Sequence, residues 1–91
     1  MSDAELLLRS RNAHAGGVVE MVVWRVPRPV PPAHAFKNRL VFVRGSERLV
    51  GYDNERGKGD HKHLLSQQMV YVFVDIDRLI ADFLGDVEKL S

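Results

Sequence analysis

The sequence predicts an α+β fold: an antiparallel sheet of four or five strands in a meander, with one C-terminal helix packed on one face. Three observations carry this. Residues 18–26 (V-V-E-M-V-V-W-R-V) are β-branched and too apolar for a solvent-facing helix. Residues 36–44 (F-K-N-R-L-V-F-V-R) alternate, with Phe36, Leu40 and Phe42 on one side and Lys37, Arg39, Val41 and Val43 on the other. Ile76, Leu79, Ile80, Phe83, Leu84, Val87 and Leu90 recur at spacings of three and four, which makes one apolar stripe on a helix.

Residues 5–12 are compatible with a first strand, although Leu6 to Leu8 would equally open a helix. His14-Ala15-Gly16-Gly17 is a turn signal of the kind that joins hairpin strands. In the strand that follows, Val18, Glu20, Val22, Trp24 and Val26 share one face, and Val19, Met21 and Val23 take the other. Apolar groups on both faces predict a central strand covered twice, with Trp24 in the core and the helix lying on this strand. Pro27 to Pro32 holds four prolines, which remove donors and fix φ, so it reads as an extended connector that also takes in His34. Arg44-Gly45-Ser46 turns the chain, and 47–53 returns as a fourth strand through Leu49, Val50 and Tyr52. Residues 69–74 (M-V-Y-V-F-V) read as a fifth strand. Asp75 then has the chemistry of an N-cap, and Asp77 lies where the helix dipole favours a negative charge.

Ninety-one residues without a cysteine form one domain, 1–91, that cannot rely on disulfides or thiolate metal sites. No stretch has the length of a membrane span, and the N-terminus lacks the order of a signal peptide, so a cytoplasmic protein is expected. The formal net charge of +1 is unevenly spread. Residues 1–63 hold eleven Lys/Arg against seven Asp/Glu, and residues 64–91 hold two against five. A basic body suits a polyanion such as RNA; a solvated surface with a chance asymmetry accounts for the same numbers. Arg9, Arg11, Arg25, Lys37 and Arg39 fall on strands and either build a basic sheet face or serve to discourage edge aggregation.

The run Tyr52–His63, Y-D-N-E-R-G-K-G-D-H-K-H, is not called for by folding. It reads as a loop at the exit of the fourth strand, where functional side chains are commonly held. His61 and His63 titrate near neutrality, so one is suited to take a ribose 2′-hydroxyl proton and the other to protonate the leaving oxygen. Asp53 and Asp60 join them as candidate catalytic residues that orient the bases. Arg56, Lys58 and Lys62 are candidates for holding phosphate. Tyr52, a half-buried anchor, together with Asn54, Glu55, Gly57 and Gly59, shapes the loop, the glycines by letting backbone approach closely. Together these describe an endoribonuclease with no metal and no cofactor. The same residues also fit two exposed histidines in a hydrophilic loop. A divalent ion on Asp53, Asp60, His61 and His63 is a further alternative, opposed by the three basic side chains of the run.

The run also resembles the signature of the TumE family, the toxin component of small prokaryotic toxin–antitoxin modules. The opening E-L-L-L-R-S-R, the strand V-V-E-M-V-V-W-R-V-P and the end L-I-A-D-F-L-G-D-V are similar to the family pattern too, so the likeness covers most of the chain. Lys62 departs from the arginine expected between the histidines, and lysine cannot make the bidentate phosphate contact. The resemblance implies a growth-inhibiting activity and a cognate antitoxin carrying a helix-turn-helix DNA-binding segment. It leaves open whether the protein is an enzyme on RNA or a module that inhibits by occupying a nucleic acid or protein. Pairing into a homodimer through edge strands is also left open.

Overall fold

The computed structural model describes residues 4–26, 35–55 and 59–91, with Glu55 described by its backbone alone. Six strands follow in order: β1 (Glu5–His14), β2 (Gly17–Arg25), β3 (Phe36–Arg44), β4 (Glu47–Glu55), β5 (Gly59–Leu64) and β6 (Gln67–Val70). One helix, α1 (Ile76–Leu90), ends the chain. Every strand pairs antiparallel with its neighbours in sequence, so the sheet is an uninterrupted meander. The sheet therefore has six strands rather than four or five.

The tight turns explain why the pairing is local. Ala15 and Gly16 both take positive φ (47° and 79°), which matches the right-handed twist of the strands they join. Gly45 and Leu65 do the same at the β3–β4 and β5–β6 turns. Gly17 leaves no room for a side chain, since a Cβ there would lie 2.5 Å from the Val43 carbonyl oxygen on β3.

One face of the sheet is packed and the other is open. Val19 and Val23 of β2, Leu40 and Phe42 of β3, and Leu49, Val50 and Tyr52 of β4 form the core with Leu79, Phe83 and Val87 of α1. Asp75 caps the helix as expected, its carboxylate accepting from the Arg78 amide at 2.7 Å. The helix packs chiefly on β4 rather than on β2. That strand presents three large apolar groups in a row, where β2 presents two valines and Met21. Leu84, expected in the stripe, is 42% exposed on the helix flank. Nor do the described residues cover β2 twice. Val18, Glu20, Val22 and Trp24 share the open face with Arg39 and Lys37 of β3, and Trp24 is half-buried there rather than in the core. Stretches that are apolar on both sides do not distinguish a second packed layer from valines lying beside the stems of long charged side chains.

The expected fifth strand at 69–74 divides. Only Gln67–Val70 pairs with β5, because β5 begins at Gly59 and the last ladder partner is the Asp60 carbonyl, which accepts from the Tyr71 amide at 3.2 Å. Beyond it the chain leaves the ladder with β5, with Tyr71 and Phe73 turned to the core and Val72 and Val74 to solvent.

The Gly17→Ala change must push β2 and β3 apart and is expected to cost about 1–3 kcal/mol. Gly85→Ala, in the exposed helix interior with nothing within 4 Å of a new Cβ, is expected to stabilise by about 0.5–1 kcal/mol. Denaturant midpoints of the two variants should therefore move in opposite directions.

Candidate active site

The Tyr52–His63 run is a β-hairpin, not a loop. Its halves are the end of β4 and most of β5, in a register that sets Gly51 against His63, Tyr52 against Lys62, Asp53 against His61 and Asn54 against Asp60. Arg56, Gly57 and Lys58, which fall between the two strands in sequence, lie outside the described residues. Because side chains alternate across a strand, the hairpin sorts its charges onto two faces. Gly51, Asp53, His61 and His63 belong to the open face. Tyr52, Asn54, Asp60 and Lys62 belong to the face beneath the helix.

On the open face Asp53 and His61 touch. Asp53 Oδ1 lies 2.5 Å from His61 Nε2, with the side chains 30% and 11% exposed. The approach is off the hydrogen-bonding direction, and Asp53 Oδ1 has no other partner among the described residues. The other ring nitrogen, Nδ1, is 3.3 Å from the Gly59 carbonyl oxygen. Gly59 takes φ 72°, a left-handed conformation at the start of β5 that suits glycine. His61 thus has an oxygen beside each nitrogen, which fixes the plane of its ring.

His63 sits edge-on to His61, with ring centroids 5.4 Å apart and planes 78° apart. Its own environment differs. Removal from water, then the Arg48 guanidinium, then His61 lower its pKa below the ordinary imidazole value, and Asp53 opposes them only in part. The two histidines therefore sit in different surroundings, and those of His63 favour its neutral form.

Arg48 is the member of the site that sequence reading misses. Simple alternation from Tyr52 would place it under the helix. A bulge between Phe42 and Val43 makes Leu49 an extra residue, so that Leu49 and Val50 both enter the core and Arg48 pairs with Val43. Its side chain lies across Gly51, where a Cβ would meet Arg48 Cδ at 3.0 Å. Gly51 is thus the gap through which a guanidinium reaches His63.

On the other face Lys62 is separated from the histidines. Its Nζ is 3.2 Å from Asp86 Oδ2 and 5.6 Å from the centre of the Tyr52 ring. Tyr52, fully buried rather than half-buried, donates its hydroxyl to the same carboxylate oxygen of Asp86. Burial and then this carboxylate drive the phenol far above its ordinary pKa, so it remains a donor. Asp86 was legible in principle, since it falls between Phe83 and Leu90 on the core-facing side of the helix and an acid there demands a partner. Asp60 lies on the same side, beside Tyr71, and does not join the histidines. Asn54 shapes the hairpin through its amide: Oδ1 accepts from the Asn38 amide at 2.9 Å and Nδ2 donates to the Phe36 carbonyl at 2.7 Å, extending the β3–β4 ladder.

One ligand atom from each of Asp53, His61 and His63 lies within 4.8 Å of the others, so these three are the described residues placed to share a cation. Asp60, the fourth ligand expected from sequence, is on the wrong face.

Two measurements check this partition. In a histidine NMR titration His63 should titrate below about 6.5, and Arg48→Ala or Gly51→Ala should move it upward, because each removes the guanidinium from its side. Lys62→Ala should act on stability, at about 1–3 kcal/mol for leaving Asp86 short of a partner, while leaving the His63 titration where it was.

The model of the family described as Toxin TumE matches residues 2–91. Neither a curated protein nor a solved structure matches the chain. No helix among the described residues is long and apolar enough to cross a membrane. With the match running through the hairpin, the sheet and the helix alike, the chain belongs to the TumE toxin family, the toxin half of toxin–antitoxin modules, and a cognate antitoxin is implied.

Proposed function

We propose that this toxin acts on RNA as an endoribonuclease that uses no metal, working from the open face of the β4–β5 hairpin. The observation that carries this reading is the meeting of a histidine drawn toward its neutral form, a second histidine backed by a carboxylate, and a guanidinium on one face of the sheet. His63 takes the proton of a ribose 2′-hydroxyl. The 2′-oxygen attacks the adjacent phosphorus, a 2′,3′-cyclic phosphate forms and the 5′-oxygen departs. His61 is assigned the acid: its Nε2 hydrogen, which Asp53 Oδ1 approaches off the hydrogen-bonding direction, goes to that leaving oxygen. Asp53 fixes the His61 ring and offsets its charge. Arg48 holds the phosphate as negative charge gathers on it. Arg56 and Lys58, which lie outside the described residues, are assigned the same task on their chemistry. Lys62 and Asp60 are not, because they serve the helix side. The cognate antitoxin, with a helix-turn-helix segment to bind DNA, neutralises the toxin.

One observation favours a second reading, a divalent ion on Asp53, His61 and His63 in a two-histidine, one-carboxylate set. Against it, the ion must part Asp53 from His61 and sit beside Arg48. In a third reading the same face inhibits by occupancy without cleaving.

His63→Ala is expected to lower RNA cleavage by about 10²–10⁴-fold, and Arg48→Ala to lower it less, with the fold of each variant kept. Cleavage should persist in a chelator, and loss there with recovery on adding zinc or manganese would establish the metal reading. Cellular toxicity that survives His63→Ala and His61→Ala, from a protein that cleaves no RNA, would leave occupancy as the mechanism.

A further inference from the structure

The open face extends well beyond the histidines, and its composition is lopsided. Five cations stand on it: Arg9 and Arg11 of β1, Lys37 and Arg39 of β3, and Arg48 of β4. Against them the described residues set Glu20 and Asp53. Glu20 is held by Arg39 at 3.0 Å, and Asp53 by His61. Arg9, Arg11 and Lys37 have no ion-pair partner among the described residues. The acids gather on the opposite side of the molecule, where the helix and its cap bring Asp75, Asp77, Asp82, Asp86 and Glu88 against Arg78 and Lys89. A polyanion is drawn to the open face and repelled from the helix face.

The register says where each group stands. Arg9, Val22, Arg39, Asp53 and His61 form one row across the strands, and Arg11, Glu20, Val41, Gly51 and His63 form the next. A trough of about 430 Å³ lined by Arg11, Glu20, Arg39, Val41 and Val43 lies between the β1–β3 part of the second row and the turns at Gly16 and Gly45. Trp24, the sole tryptophan of the chain, stands one row to the other side with Leu6 and Lys37. From β2 to the β5 histidines is three strand spacings, about 14 Å, the reach of a short oligonucleotide.

We propose that this face is a track for single-stranded RNA, with a base stacked on Trp24 and the phosphates met by Arg9, Arg11, Lys37 and Arg39 on the way to His63. The proposal rests on RNA being the substrate and adds the form in which it is read. An aromatic ring with no ring partner among the described residues, on a basic sheet face, suits unpaired bases, whose π-faces are available. A duplex keeps those faces inside its own stack and offers the sheet only phosphate.

The test uses the whole protein and a 2′-O-methyl RNA of about eight nucleotides, which cannot be cleaved, either single-stranded or annealed to its complement. Saturation with the single strand should quench Trp24 emission, and the duplex should bind at least about tenfold more weakly. Trp24→Ala should weaken single-strand binding about fivefold or more, with Trp24→Phe recovering most of it. Arg9→Ala and Arg11→Ala should each reduce the salt slope by about 0.7. Emission unmoved at saturation, equal affinity for the duplex, or quenching by poly-glutamate as strong as by RNA would overturn the track, the last by assigning the face to an acidic protein. If the protein cleaves RNA while Trp24 stays silent, the track fails and the ribonuclease reading stands. If Trp24 is quenched and no RNA is cleaved, the track stands and the ribonuclease reading fails.

Discussion

Beneath the helix, one carboxylate holds two partners from adjacent strands. Asp86 of α1 accepts the Tyr52 hydroxyl from β4 and the Lys62 ammonium from β5. The contact is buried, so its members are costly to leave unsatisfied and the arrangement has one low-energy solution. It seats the helix on β4 and, by fixing Tyr52 and Lys62 inward, it fixes their neighbours outward. Asp53, His61, His63 and Gly51 belong to the open face because of what Tyr52 and Lys62 do on the other side. The helix contributes no residue to the open face, yet it determines which face is open.

That partition also explains why two adjacent histidines have different chemistry. His61 sits against a carboxylate and a carbonyl, whereas His63 sits against a guanidinium and the other ring. An imidazole drawn toward its neutral form beside a second one held against a carboxylate is a pairing suited to moving protons in both directions. Asp53 has a place in both the proton-transfer and the metal accounts, and its contact with His61 is where the two compete. A cation takes the lone pairs that otherwise hold the imidazole.

Much of the fold was legible from the residues. The strand at 36–44, the turn at Gly45-Ser46, the Asp75 cap and most of the helical stripe follow from alternation, turn chemistry and a 3.6-residue period. The site was legible as composition and illegible as geometry. β5 has no apolar alternation of its own, since its inward groups are Lys62 and Asp60 and its outward groups are histidines, so it reads as loop. The bulge at Leu49 inverts the face of Arg48, and no local signal marks it. Trp24 sits in a run whose two sides are equally apolar, and only the absence of a second layer among the described residues tells which side is bare. Lys62 was grouped with the histidines by nearness in sequence, which is what a strand undoes.

The most direct test of this account is the pH dependence of kcat/KM for RNA cleavage, compared between the unaltered protein and Arg48→Ala. A free-enzyme base at His63 predicts an acid limb below the ordinary imidazole pKa of about 6.5. Activity is then lost as pH falls through that value, and Arg48→Ala moves the limb upward. An acid limb at or above the ordinary value, or one that stays in place when the guanidinium is removed, would contradict His63 as the base and the pairing of Arg48 with it across Gly51.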